Sequence, residues 1–294
     1  MARTSVDERG GAQGLVHASA RSLLFTVLGE LVYPAGQPVW TASLLYVLER
    51  AGFSEQAARQ AIARGVAAGW MVSERIGRET RFRLTPELVA RFDEGTSRVF
   101  GFSRESEPWD GRWLILIVSI PNEQRQVRKR LYTALSWAGL GNPTPGVWLT
   151  PHSERLEEVE RVIAELELRE STVAVIGAPG AVGLSEDELV RRAWDLDGVA
   201  ARYEELVSEF RGLEPDPGDP LLLAHLELTG AVRHLPFMDP QLPEALLPNW
   251  VGREVTRWSE QLKTEWSRPA HARWRAIVET TSPAASPDRR SRSS

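Results

Sequence analysis

The run from Trp40 to Leu84, WTASLLYVLERAGFSEQAARQAIARGVAAGWMVSERIGRETRFRL, constrains the fold more than any other part of the chain. Thr41 to Arg50 reads as a helix burying Leu44, Leu45 and Leu48. Ala51-Gly52-Phe53 follows as a turn, in which Gly52 can take the left-handed conformation that ends a helix. Ser54 is a good N-cap for the next helix. Met71 to Ile76 and Thr80 to Leu84 then roughly alternate apolar and polar residues around Gly77-Arg78-Glu79, as a half-buried hairpin does. Helix, tight turn, helix and a basic hairpin tip, in that order, make up a winged helix-turn-helix.

The helix after Ser54 has two unlike faces. Ala58, Ile62, Gly65 and Val66 form a small apolar side suited to close packing. Gln56, Arg59, Gln60, Ala63 and Arg64 form the other. Arginine and glutamine can bond guanine and adenine edges bidentately, and small Ala63 leaves room for close approach. Arg59, Gln60 and Arg64 are therefore the candidate base readers. Ser54, Gln56, Arg78 and Arg81 are candidates for the DNA backbone. A merely solvated amphipathic helix is the competing reading, and the flanking turn and wing weigh against it. Charge agrees. From Arg50 to Arg83 seven arginines face Glu55, Glu74 and Glu79, giving +4, while the whole chain carries −5. Affinity for a polyanion must come from such a local patch. Lysine occurs only at Lys129 and Lys263, so composition alone would leave open that arginine is simply the favoured base.

Other chemistry is limited by what the sequence offers. With 294 residues the chain has room for two or three domains. It has no cysteine, which removes disulfides, thiol nucleophiles and thiolate metal sites. No charged-then-apolar leader opens it, and the longest apolar run, Trp113 to Val118, is too short to span a bilayer. A cytoplasmic protein without membrane contact is expected. There is no G-x-S-x-G elbow and no H-E-x-x-H, and His17, His152, His225, His234 and His271 are scattered without ligand spacing. Gly177, Gly180 and Gly183 lack the spacing and lysine of a phosphate loop, and Glu186, Asp187 and Glu188 would repel a phosphate there. The expectation is no enzyme, no cofactor and no metal.

The rest of the chain organises around these elements. Residues 1–18 read as a disordered tail and 19–100 as the DNA-binding domain, opened by a helix from Ser19 to Val32 and left by a helix starting at Thr85-Pro86-Glu87. Residues 105–184 read strand, helix, strand, helix, strand: Leu114 to Ile120, buried on both faces; a helix capped by Asn122; Val147 to Leu149; a helix capped by Ser153 with Leu156, Val159, Ile163 and Leu166 inside; and Thr172 to Ile176. Gly139 to Gly146 reads as turn. This order argues a ferredoxin-like α/β sandwich with one strand not obvious. Residues 185–280 read as a helical C-terminal domain, and 281–294 as a second disordered tail. The fold class is thus α+β multidomain. Trp250, Trp258, Trp266 and Trp274 recur along the last helix and suit a core or a dimer seam, with an aromatic acyl pocket left open.

Six motifs carry a family resemblance: SARSLLFTVLGE at Ser19, RAGFSEQAARQAIARGVAAGW at Arg50, IGRETRFRLT at Ile76, WDGRW at Trp109, WAGLGNPTPGVWLTP at Trp137 and DPQLPEALLPNWVG at Asp239. In order and spacing the chain resembles the PaaX family of bacterial transcriptional repressors. The resemblance implies a winged helix domain, a central domain akin to a small CRISPR-associated nuclease, and a helical C-terminal domain. It also implies a homodimer that binds operator DNA, represses a catabolic operon and is released by an acyl-coenzyme A effector such as phenylacetyl-CoA. Near the DP-LP motif the chain reads AVRHLPFMDP, which makes Arg233 and His234 the nearest candidates for effector contact. A metal-dependent nuclease built on the central domain is the alternative from another class. Such nucleases place an acidic ligand at the end of the first strand, where this chain has Val118-Ser119-Ile120. A scaffold whose winged helix binds protein is a third reading.

Overall fold

The computed structural model describes residues 19–93, 108–180 and 182–283. The two tails and the linker expected at Ser103 to Pro108 lie outside the described residues, apart from Pro108 and residues 281–283, the first of which ends the last helix. The chain divides into two compact units. One takes described residues 19–93, Glu209–Val232 and 258–283, the other 108–208 and 233–257. The helical stretch expected as a third domain is therefore shared between the two. Sequence periodicity shows that a helix has an apolar stripe but not which partner will cover it.

In the first unit α1 (Ala20–Val27) is capped by Ser19, whose hydroxyl accepts from the Ser22 amide. It runs on into a π-helical turn, Leu28–Val32. Strand β1 (Val39–Trp40) leads into α2 (Thr41–Arg50), and α3 (Glu55–Ala67) follows across Gly52, whose φ is +88°. The hairpin β2 (Met71–Ile76) and β3 (Glu79–Leu84) turns at Gly77 and is joined at its other edge by β1, giving the order β1-β3-β2. The Thr85 hydroxyl accepts from the Leu88 amide and starts α4, residues 86–93. Leu24, Leu28, Leu44, Leu48, Ala58, Ile62 and Met71 share one core with Leu222 and Leu226 of α9 (Asp219–Val232) and Trp274 and Ile277 of α11 (Val251–Thr281). Near the end of α3 the packing is close: a Cβ on Gly65 would stand 3.1 Å from Met71 Cε and 3.3 Å from Leu24 Cδ2, so those side chains would have to give by a few tenths of an ångström.

The second unit is built on a four-stranded antiparallel sheet in the order β5-β6-β4-β7. Its strands are β4 (Trp113–Val118), β5 (Gly141–Thr144), β6 (Val147–Thr150) and β7 (Thr172–Gly177). With α5 (Arg125–Trp137) between β4 and β5 and α6 (Leu156–Glu165) between β6 and β7, this is the ferredoxin-like order. The strand missing from the sequence reading is β5, read there as turn. Gly141-Asn142-Pro143-Thr144 has turn composition, but pairing with β6 imposes an extended path. The Asn142 amide fixes it by donating to the Thr144 and Val147 carbonyls at 2.9 and 2.7 Å.

Leu114, Leu116 and Val118 face α5 and α6, whose inner residues include Leu131, Leu135, Val159 and Ile163. Burial of β4 on both faces is not uniform: Trp113 is covered, whereas Ile117 at the far end is 51 % exposed. The expected caps also differ. Helix α5 begins at Arg125, and Asn122 instead accepts from Arg128. A short 3-10 turn, Ser153–Arg155, precedes α6, and Leu156 is exposed. By contrast Ser185 caps α7 (Glu186–Ala193) in a full capping box with Glu188. Helix α8 (Leu196–Phe210) follows after a break at Trp194-Asp195, and α10 (Leu235–Met238) is a single turn.

Candidate nucleic-acid interface

Helix α3 buries Ala58, Ala61, Ile62 and Gly65 and turns Gln56, Arg59, Gln60, Ala63 and Arg64 outward, all exposed. Ser54 is exposed too, and its hydroxyl accepts from the Ala57 amide at 3.2 Å, so it holds the start of the helix. Arg59 pairs with Glu55 one turn earlier, Nη2 to Oε1 2.7 Å, while both side chains stay more than half exposed. Such a surface pair is weak and easily exchanged for a phosphate. Arg64 leans back on Gln60, Nε to the main-chain carbonyl at 3.3 Å. The predicted readers are thus neighbours on one open surface.

Arg78 stands exposed at the hairpin tip, next to Gly77 with φ +62°. Arg81 is differently placed. It is half-buried on β3 and grips Glu74 across the hairpin, Nε to Oε2 2.9 Å and Nη2 to Oε1 3.0 Å. Its guanidinium also lies over the Trp40 ring, 5.8 Å from the centroid. Arg81, then Arg83, holds the Glu74 carboxyl below the usual carboxylate range. Glu74 is the residue that sequence reasoning missed; the signal was the antiparallel register, which sets Glu74 opposite Arg81. The Thr41 hydroxyl donates to the Thr80 carbonyl at 2.8 Å and ties α2 to the hairpin.

In the second unit Arg233 and His234 are brought together, Arg233 Nε donating to His234 Nε2 at 3.0 Å. Burial lowers the pKa of both, helped at His234 by the Arg233 charge. Neither lines the nearby pocket of about 240 Å³, whose walls include Tyr132, Asn142, Trp148, Trp194, Phe237 and Asp239. The indole nitrogens of Trp148 and Trp194 are buried there without a hydrogen-bond partner. Asp239, buried, anchors one side: its Oδ2 accepts from Tyr203 at 2.8 Å and Trp250 at 2.7 Å, and its Oδ1 from the Gln241 amide at 2.7 Å. Burial, then the Asp239 charge, pushes the Tyr203 hydroxyl well above its ordinary pKa. Gln241 takes a left-handed φ of +58°, and its carbonyl is held by His152 Nε2 at 2.9 Å. These pocket residues carry no ligand spacing in sequence.

Three family models match in succession: PaaX-like protein at residues 19–88, PaaX protein central Cas2-like domain at 106–190, and PaaX-like protein C-terminal domain at 194–276. The chain belongs to the PaaX family. It is 29% identical over 255 residues to the transcriptional repressor PaaX of Escherichia coli strain K12, covering 82% of this chain and 78% of that protein. Among solved structures it resembles the uncharacterized protein Rv0674 from Mycobacterium tuberculosis, with a TM-score of 0.62 and 24% identity over 88% of this chain and 98% of that one. The Cas2-like match agrees with the ferredoxin-like topology of the second unit. Among the described residues no helix is long and apolar enough to cross a membrane.

Proposed function

We propose that this PaaX-family chain is a transcriptional repressor. In this reading it binds operator DNA as a homodimer through a winged helix-turn-helix made by α1–α3 and the β2–β3 hairpin. The observation that carries it is the open face of α3, where Arg59, Gln60 and Arg64 are exposed together with Arg78 nearby in the sequence at the hairpin tip. The likeness to a named transcriptional repressor supports it. Arg59, Gln60 and Arg64 read base edges, and Ser54, Gln56, Arg78 and Arg81 set the register on phosphates. Two half-sites then lie about one helical turn, ~34 Å, or a multiple apart.

An acyl-coenzyme A such as phenylacetyl-CoA acts as inducer, releasing the repressor from a catabolic operon. The aromatic pocket of Trp148, Trp194 and Phe237 suits its acyl group, and Arg233 and His234, which lie outside that lining, are candidates for its polar part. It needs only to bind more tightly to a dimer geometry whose recognition helices miss the half-site spacing. The nuclease reading finds no carboxylate where β4 runs out into Ser119.

The test is fluorescence anisotropy of the purified protein on its own promoter fragment, against random competitor and with a series of acyl-CoA thioesters. Preferential, salt-sensitive binding that one thioester reverses is expected. Equal affinity for promoter and random DNA would overturn the assignment.

A further inference from the structure

The first unit holds a group of polar side chains that the DNA-facing surface does not use. Glu30 sits in the π-helical turn after α1, His225 in α9 and His271 in α11. Interruptions of this kind in a helix occur often at functional sites. One carboxylate oxygen, Glu30 Oε1, lies 2.9 Å from His225 Nε2 and 3.7 Å from His271 Nε2. The other, Oε2, is held by Lys263 Nζ at 2.9 Å. The three ligand-type atoms all lie within 4.8 Å of one another.

We propose that Glu30, His225 and His271 form a divalent-cation site, with zinc the best-fitting ion. Two imidazole nitrogens and one carboxylate oxygen, with a fourth position left to water, are a donor set that zinc takes. Tetrahedral zinc with bonds of about 2.0–2.1 Å sets its ligand atoms ~3.3 Å apart. The observed 2.9 and 3.7 Å lie on either side of that spacing, so small side-chain shifts close the site.

Lys263 does not stand in the way. It occupies Oε2 and leaves Oε1 to the two imidazoles, so it serves as the outer partner that orients a ligating carboxylate. His225 is fully buried, with its Nε2 on Glu30 and its Nδ1 sealed from solvent without a hydrogen-bond partner. As a ligand through Nε2 it carries its proton on that Nδ1, a desolvation cost that the metal bond has to exceed. His271 is partly exposed and gives the ion a way in. Its Nε2 now lies 3.0 Å from the Glu30 main-chain carbonyl, to which it donates; on metal binding that proton moves to Nδ1.

The experiment uses full-length protein stripped with chelator and dialysed, then titrated with zinc chloride alone. Isothermal calorimetry and elemental analysis give affinity and stoichiometry, and cobalt(II) substitution gives a visible spectrum of tetrahedral form. One ion per chain and a raised melting temperature are expected. H271A, at a partly exposed position, keeps the fold and loses more than about tenfold in zinc affinity, at least the scale on which outer partners act. E30Q does the same and loses the zinc-dependent rise in melting temperature. Failure to take up stoichiometric zinc, or wild-type affinity in H271A, would overturn the site.

Discussion

Arg273 Nε lies 2.6 Å from Oδ1 of Asp219, and this short pair is the hub of a larger contact. The other oxygen of Asp219 accepts from Tyr46 at 2.8 Å and from Arg50 Nε at 2.7 Å, while Arg273 Nη2 donates to the Tyr46 hydroxyl. Helix α2, the start of α9 and the last third of α11 are thereby fastened at one carboxylate. Burial opposes ionisation of Asp219, but donors from Arg273, Tyr46 and Arg50 outweigh it and bring the carboxyl down to about 2. A depressed folded-state pKa means that the stabilisation is present above the ordinary value of 3.8 and is lost as pH falls towards 2. D219A should cost about 1–3 kcal/mol at neutral pH, the range for a hydrogen-bonded charge removed from its partners. Urea melts of both proteins check this: the gap should be constant from pH 8 to 5 and narrow below about pH 4.

On DNA the two classes of arginine should separate. R64A is expected to weaken operator binding by about 1–3 kcal/mol and to relax preference at one base position. R78A should weaken binding to all sequences alike and lower the salt slope by about one. Anisotropy titrations over a range of salt, on operator and on single-base variants, distinguish them. An R64A protein that binds as tightly as wild type would remove α3 from the role of reader.

The grip of Glu74 on Arg81 makes a prediction of opposite sign. Glu74 removes positive charge from the hairpin by pairing with Arg81 and, at 3.6 Å, with Arg83. E74Q should release both cations to phosphate. DNA affinity should rise a few-fold on operator and random fragments alike, with a steeper dependence on salt. Unchanged affinity would show that Arg81 faces away from bound DNA.

The first unit was the more legible of the two, for local reasons. Gly52 and Ser54 mark their own element ends through glycine and capping chemistry, and the structure puts each where that chemistry asks, whereas α2 starts at Thr41 without a side-chain cap. Strand β5 was hidden because Gly141 to Thr144 is extended only through its partner strand. Asn122 and Ser153 had the composition of caps without the geometry. The Glu30 cluster left no trace in sequence, since His225 lies 195 residues from Glu30 and no local spacing connects them. Trp266 and Trp274 of the tryptophan stripe are core residues, whereas Trp250 spends its indole on Asp239.

Glu227 gives the first unit a pH response that runs against Asp219. Burial, and then the neighbouring charge of Glu209, pushes its carboxyl from 4.5 up to about 7. A carboxyl with a raised folded-state pKa destabilises the fold once it ionises. That cost is absent below about pH 4.5 and complete above about pH 7. E227Q should therefore melt higher than wild type at pH 8 and alike at pH 4. Thermal melts across that range check it, and a gap independent of pH would rule the titration out.

Gly252 offers a test of packing around Asp239. It lies in the first turn of α11, where alanine would ordinarily stabilise the helix by up to about 1 kcal/mol. Here a Cβ would stand 2.5 Å from Asp239 Oδ2, 2.5 Å from Trp250 Nε1 and 2.7 Å from Tyr203 Cε2. None of these can retreat without breaking a bond to the buried carboxylate, since Tyr203 and Trp250 both donate to the same oxygen. G252A should therefore destabilise by about 1–3 kcal/mol, the cost of overpacking, against the helix trend. Y203F should also destabilise, by leaving Asp239 short of a donor. In the double variant the two losses should add to less than their sum, because each disturbs the same oxygen. Urea melts followed by tryptophan fluorescence read all three, and a G252A protein more stable than wild type would mean that this cluster is loosely packed.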